Sequence, residues 1–174
     1  TGPQRSPIRK EHSLDADQKV RPRRLKGFQD YSPQVMAQRL KIIEHARLVA
    51  KGSGFQEIAT PALEYSEVLL GVGQEIDKQV FRFKDGGDRD VSMRFDLTVP
   101  FARYVGENGG KLPLPFKRLQ IGDVWRAEKP QKGRFREFCQ CDLDIIGADS
   151  AHADIEITQT FAQILKQSMP MSFT

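Results

Sequence analysis

Arg126, Glu128, Lys129, Lys132 and Arg134 crowd into a nine-residue run, and this density of charge is the first feature of the chain that suggests chemistry. Forked guanidinium groups and ammonium groups donate to phosphate oxygens, and a carboxylate such as Glu128 accepts from a base edge. Phe138, a few residues later, adds a stacking surface. An anionic, aromatic ligand suits that set; so does a solvated loop whose charges pair among themselves. The stretch that follows alternates: Arg136, Phe138, Gln140, Asp142 and Asp144 share one face of a strand, and Cys139, Cys141, Leu143 and Ile145 share the other. A polar face of this kind is either the wet side of an antiparallel sheet or the floor of a site. Upstream, Arg94-Phe95-Asp96-Leu97-Thr98 places a carboxylate and a hydroxyl where they can hold an ammonium group or cap a helix.

Two long strands and a loop must carry most of these side chains. Phe116 to Trp125 and Phe135 to Ile146 are the longest strand candidates, and the polar stretch from Arg126 to Arg134 separates them. Val80 to Phe83 and Val91 to Phe95 flank Asp85-Gly86-Gly87-Asp88, a hairpin pattern, and Thr98-Val99-Pro100 opens a helix that Gly109-Gly110 ends. Ser32-Pro33 predicts a helix start, with an apolar stripe Met36, Leu40, Ile43, Ala46, Ala50 expected to face the core as far as about Lys51. Phe55 to Thr60 follows as a short strand stopped by Pro61. Asp149-Ser150 opens a last helix whose stripe is Ile157, Phe161 and Ile164, widened by Ile155 and Leu165 and ended at Met169-Pro170. Met171 to Thr174 reads as the start of another strand, while Tyr65 to Gln79 shows no decisive period. The expected fold class is α+β, an antiparallel sheet flanked by helices.

Composition narrows the function classes. The chain of 174 residues is 39% apolar and 29% charged, which fits one domain with a real core. Its net charge of +4 comes entirely from residues 1–24, a proline-containing stretch expected to be a flexible basic tail. That tail, with Arg21, Arg23, Arg24 and nearby Lys26, is a solvated arm or a contributor to nucleic-acid affinity. No window approaches the roughly 18 consecutive apolar residues of a membrane span, so no membrane partner is expected. Cys139 and Cys141 have no partner elsewhere, which favours a reducing, cytoplasmic setting. No metal site is expected, since two cysteines give too few ligands and His12, His45 and His152 lack ligand spacing.

Over about residues 25–174 the chain resembles class II aminoacyl-tRNA synthetases, and among them the histidyl-tRNA synthetase family. The first helix with Gly54-Phe55-Gln56-Glu57-Ile58-Ala59-Thr60-Pro61 and Glu64 is similar to motif 1, the dimer-forming segment. Arg94 to Tyr104 is similar to the histidine-binding segment, and Trp125 to Asp142 resembles motif 2 in its histidyl form. The resemblance implies that Arg126 contacts the α-phosphate of ATP and the histidine carboxylate, that Glu128 and Phe138 hold and stack adenine, and that Arg134 reaches the outer phosphates. It further implies that Asp96, Thr98 and Gln140 hold the α-amino group and that Asp144 sits near the imidazole. Asp144 is one methylene shorter than the glutamate many members place there.

The implied activity is ATP-dependent attachment of histidine to its tRNA through histidyl-adenylate, with ATP and Mg²⁺ as cofactors and a homodimer formed through motif 1. Motif 3 and the later histidine-specific segment of the family do not occur in these 174 residues. Residues 25–174 are therefore expected to be a truncated catalytic domain that lacks full activity by itself. The alternative is a non-catalytic, synthetase-like regulatory subunit of histidine biosynthesis, which would bind a ligand and a protein partner.

Overall fold

A computed structural model describes residues 21–70 and 79–168 of the chain. Helix α1 spans Pro33–Gly52: the Ser32 hydroxyl accepts from the Val35 amide, and Pro33 occupies the first turn, where its missing N–H costs nothing. After a tight turn come β1 (Gln56–Glu57), β2 (Leu63–Tyr65) and α2 (Ser66–Leu70). The hairpin β3 (Arg82–Lys84) and β4 (Asp90–Met93) leads into α3 (Thr98–Asn108) and a single 3₁₀ turn at Gly109–Lys111. The long strands β5 (Phe116–Trp125) and β6 (Glu137–Ile146) precede α4 (Ala151–Ser168).

Two three-stranded sheets result, in the orders β1-β5-β6 and β2-β4-β3. Strands β5 and β6 pair antiparallel along their whole length, with Arg118 opposite Asp144, Gln120 opposite Asp142, Gly122 opposite Gln140 and Val124 opposite Phe138. The odd-numbered face of this ribbon packs under α1 and α4: Ala46, Ala50, Phe55, Leu119, Leu143 and Ile164 form the core, with Ile121, Cys141, Ile145, Ile157 and Phe161 against it. The even-numbered face turns toward the segment that joins β4 to α3 and toward α3 itself: Arg118 Nη1 donates to Leu97 O at 3.5 Å, and its guanidinium lies over the Phe101 ring. A half-buried ion pair of Arg103 with the buried Glu64 ties β2 to α3.

Several expectations are corrected. The strand from Phe55 to Thr60 contracts to Gln56–Glu57, and it pairs parallel to β5, so the sheet is not purely antiparallel. Only the C-terminal half of the α1 stripe is buried; Met36 and Leu40 stay exposed, Leu40 by 52%, because α4 and the sheet reach only the second half of the helix. On α4, Ile155 and Leu165 are exposed rather than part of the packed stripe. Part of the undecided stretch after Tyr65 is the short helix α2. Most of the basic tail, residues 71–78, the expected helix end at Met169-Pro170 and the strand from Met171 lie outside the described residues. No helix among the described residues is long and apolar enough to cross a membrane.

Candidate nucleotide and amino-acid site

Arg126 begins the loop between β5 and β6, and the sequence shapes that loop locally. Gln131 and Arg134 bridge across a turn in which Gly133 has φ +78°, a conformation that side chains rarely adopt. At the far end, Arg136 N donates to Gly27 O at 2.7 Å, and its guanidinium donates to the carbonyls of Glu128 at 3.0 Å and Ala127 at 3.3 Å. Gly27 has to be glycine for this approach: φ is +90°, and a Cβ there would stand 2.8 Å from Arg136 Cγ. The buttressed loop encloses an open cleft of about 270 Å³ whose lining includes Arg126, Glu128, Arg134 and Phe138. Arg126 lies with its guanidinium carbon 5.0 Å from the centroid of the Phe138 ring. Glu128 and Arg134 face each other at 3.8 Å, so part of the charge run does pair with itself.

Beside the cleft, the even-numbered face of β5 and β6 forms a floor. Arg118, wholly buried, donates from Nε to Asp144 Oδ2 at 2.7 Å and adds a second bond from Nη2 to the same oxygen. Its Nη1 donates to Gln120 Oε1 at 2.8 Å, and Gln120 Nε2 donates to Thr60 Oγ1 at 2.9 Å. Asp142 stands 3.7 Å from Arg118, and burial pushes its carboxyl above the usual range. Asp96 closes the side: Oδ1 accepts from Val99 N at 3.1 Å, and burial raises its pKa against the pull of that bond and of Arg126 and Arg118. Arg126 joins the two parts, because its Nε donates to Phe95 O at 3.2 Å, next to Asp96.

Arg126, Glu128, Arg134 and Phe138 thus meet in one cleft, while Asp96 and Asp144 belong to the adjoining floor. Asp96 also caps α3, so the helix-capping use of this residue and its place beside Arg126 coexist. Thr98 is exposed at the first position of α3. Gln140 shares the period-two face with Phe138 and Asp144, and its Oε1 is buried without a hydrogen-bond partner among the described residues. A buried amide oxygen left without a partner can accept from a donor such as an ammonium group.

Sequence reading missed Arg118 and Gln120, and it named Arg94 in its segment without assigning it a role. The signal was present in β5, where Arg118 and Gln120 interrupt an apolar strand on the same parity. Their partners emerge only from the register that sets Arg118 against Asp144. Arg94 is buried, donating to Thr60 O at 2.6 Å and Asp123 O at 2.9 Å.

A family model described as histidyl-tRNA synthetase matches residues 27–173. The histidine–tRNA ligase of Treponema denticola is 52% identical over 149 residues, covering 85% of this chain and 33% of that protein. Among solved structures, histidyl-tRNA synthetase from Nostoc superposes with TM-score 0.73 at 31% identity, over 83% of this chain and 34% of that one. A Bacillus halodurans protein described as an ATP phosphoribosyltransferase regulatory subunit/histidyl-tRNA synthetase gives TM-score 0.74 at 28% identity, over 82% and 37%. The chain spans about a third of the length of the curated relatives it matches. With the family model extending across both β5 and β6 and half of the aligned residues shared with a curated ligase, the chain belongs to the histidyl-tRNA synthetase family.

Proposed function

We propose that these residues form the nucleotide and amino-acid side of an enzyme that attaches histidine to its tRNA in two steps. In the first, a carboxylate oxygen of histidine attacks the α-phosphorus of ATP; the bond to the bridging oxygen breaks, and pyrophosphate leaves with the electron pair. In the second, a hydroxyl of the terminal ribose attacks the acyl carbon, loses its proton, and AMP departs. No bond to the protein forms, so catalysis rests on placement and on stabilising charge at the reacting phosphoryl group.

The observation that carries this reading is the position of Arg126 at the seam, over Phe138 in the cleft and bonded to Phe95 O beside Asp96. One guanidinium there can touch both an α-phosphate and an amino-acid carboxylate. In this proposal Phe138 and Glu128 take adenine, Arg134 takes the outer phosphates, Asp96, Thr98 and Gln140 take the α-amino group, and Asp144 takes the imidazole. Mg²⁺ belongs here as the companion of the triphosphate. Among the described residues no group of three or more His, Cys, Asp or Glu side chains is placed to hold a metal ion, and no step is assigned to the ion.

The proposal extends to assembly and setting. Residues 25 onward act as catalytic domain and residues 1–24 as a basic tail. The exposed apolar side chains of α1, Val35, Met36, Leu40 and Ile42, support a homodimer through this region. Free Cys139 and Cys141 suit the cytoplasm. A ligand-binding regulator could dispense with the nucleotide side, and the cleft that keeps Arg126, Glu128, Arg134 and Phe138 favours catalysis.

The test is histidine-dependent exchange of pyrophosphate into ATP by the complete gene product. Arg126→Ala is expected to lower exchange by about a thousandfold, the scale of losing one transition-state charge stabiliser. Near-normal exchange by that variant would remove Arg126 from the mechanism.

A further inference from the structure

From the floor of the site, we infer that Arg118 is a positioning residue for imidazole recognition, acting through Asp144; the inference rests on the synthetase reading above. Arg118 never needs to touch a ligand. It is wholly buried beneath the ribbon face, and both of its bonds to Asp144 fall on Oδ2. Oδ1 takes neither bond, which leaves it as the acceptor for a ring N–H. A carboxylate on a short aspartate side chain has two rotatable bonds, and a fork gripping one of its oxygens fixes both.

Arg118 is itself held on every side. Gln120 Oε1 accepts from Nη1 at 2.8 Å, and Gln120 is anchored in turn to Thr60 Oγ1 at 2.9 Å. The Phe101 ring lies 4.4 Å from the guanidinium carbon, and Leu97 O stands 3.5 Å from Nη1. Leu97 lies between Asp96 and Thr98, so the group that aims Asp144 also braces the segment proposed to bind the α-amino group. The buried positive charge also neutralises its surroundings, since Asp142 and Asp144 both flank it, and without it two carboxylates two positions apart on one strand would repel each other.

A residue that only props up the fold would alter all kinetic constants or none. A positioning residue for the imidazole changes histidine recognition while sparing ATP. The experiment measures pyrophosphate exchange by the complete gene product at varied histidine and varied ATP, for wild type, Arg118→Lys and Asp144→Asn. It also uses thiazolylalanine, whose ring lacks an N–H, as a competing substrate. Arg118→Lys keeps the charge and loses the fork. The expected result is a KM for histidine raised about tenfold or more, as for loss of a charge-assisted bond, with the KM for ATP and kcat each within about threefold of wild type. Preference for histidine over thiazolylalanine falls in step.

Asp144→Asn is expected to reproduce the loss, and Arg118→Lys added to it to change histidine KM little further, since both act through one oxygen pair. Should Arg118→Lys fail to fold, Asp144→Asn with the thiazolylalanine comparison decides: unchanged preference for histidine overturns the inference. Parallel rises in the KM for ATP and for histidine, or independent effects of the two substitutions, overturn it as well. A wild type with no histidine-dependent exchange is a different result and removes the synthetase reading itself.

Discussion

Arg118 on the floor is wholly buried and bonded to Asp144 and Gln120, whereas Arg134 in the loop keeps 74% of its side chain exposed with its nearest carboxylate, Glu128, at 3.8 Å. The same guanidinium chemistry serves two ends. On the floor the charges are fixed before any ligand arrives, and the cost of desolvating them is offset by hydrogen bonds within the fold. In the loop the charges are solvated and screened, so they contribute little to stability and remain free to rearrange around phosphates. The floor suits a small amino acid that must be chosen by shape and hydrogen bonding. The loop suits a large, strongly charged nucleotide that brings much of its own binding energy.

The contrast breaks most visibly at Arg94. Its guanidinium donates to Thr60 O and Asp123 O and lies 5.8 Å from the Trp125 ring centroid, bracing the segment that carries Asp96 against β5. Arg94→Met keeps much of the side-chain stem while leaving those carbonyls without their donor. Urea unfolding is expected to show a loss of about 3 kcal/mol, two charge-assisted bonds reduced by the relief of a buried charge. A loss below about 1 kcal/mol would mean that the floor is no more preorganised than the loop.

A smaller effect of the opposite kind is expected from Arg134→Ala. Stability should stay within about 0.5 kcal/mol of wild type, because the side chain is exposed and its ion pair is long. The KM for ATP in pyrophosphate exchange should rise about fivefold, and its dependence on salt should weaken, since the proposed phosphate contact is removed. A stability loss comparable to that of Arg94→Met would dissolve the distinction between the two regions.

The loop was more legible in the sequence than the floor, for a physical reason. Charge density and the strand flanks around Arg126 to Arg134 are local features, and β5 and β6 are long enough for a period of two to show. Arg118 and Asp144 are 26 residues apart, and their pairing depends on the register across the hairpin. An ion pair of that range has no local signature beyond two charged residues of matching parity. The α1 stripe illustrates the converse: its spacing is helical from Met36 to Ala50, yet burial begins only near Ala46, because periodicity tells which face can be covered and not what covers it. Strands of two or three residues such as β1 and β2 carry no period at all and owe their existence to β5 and β4.

The smallest effect concerns the reverse side of the floor. Cys141 lies on the odd-numbered face under the helices, where burial first, then neighbouring Asp142 and Cys139, pushes its thiol from 9.0 up to about 11. Between those values the unfolded chain releases the proton while the folded chain keeps it, so the native state binds more protons and stability falls as pH rises; below pH 9 both states hold the proton and this dependence vanishes. Cys141→Ser removes the titrating thiol. The difference in unfolding free energy between wild type and this variant should therefore be flat up to about pH 9 and then drift against the wild type. In parallel, iodoacetamide at pH 8.5 should label Cys141 slowly in the folded chain and rapidly in urea, because the thiolate is the reacting form. Rapid labelling of the folded chain would show that α1 and α4 do not shield this face, and that the floor is open from behind.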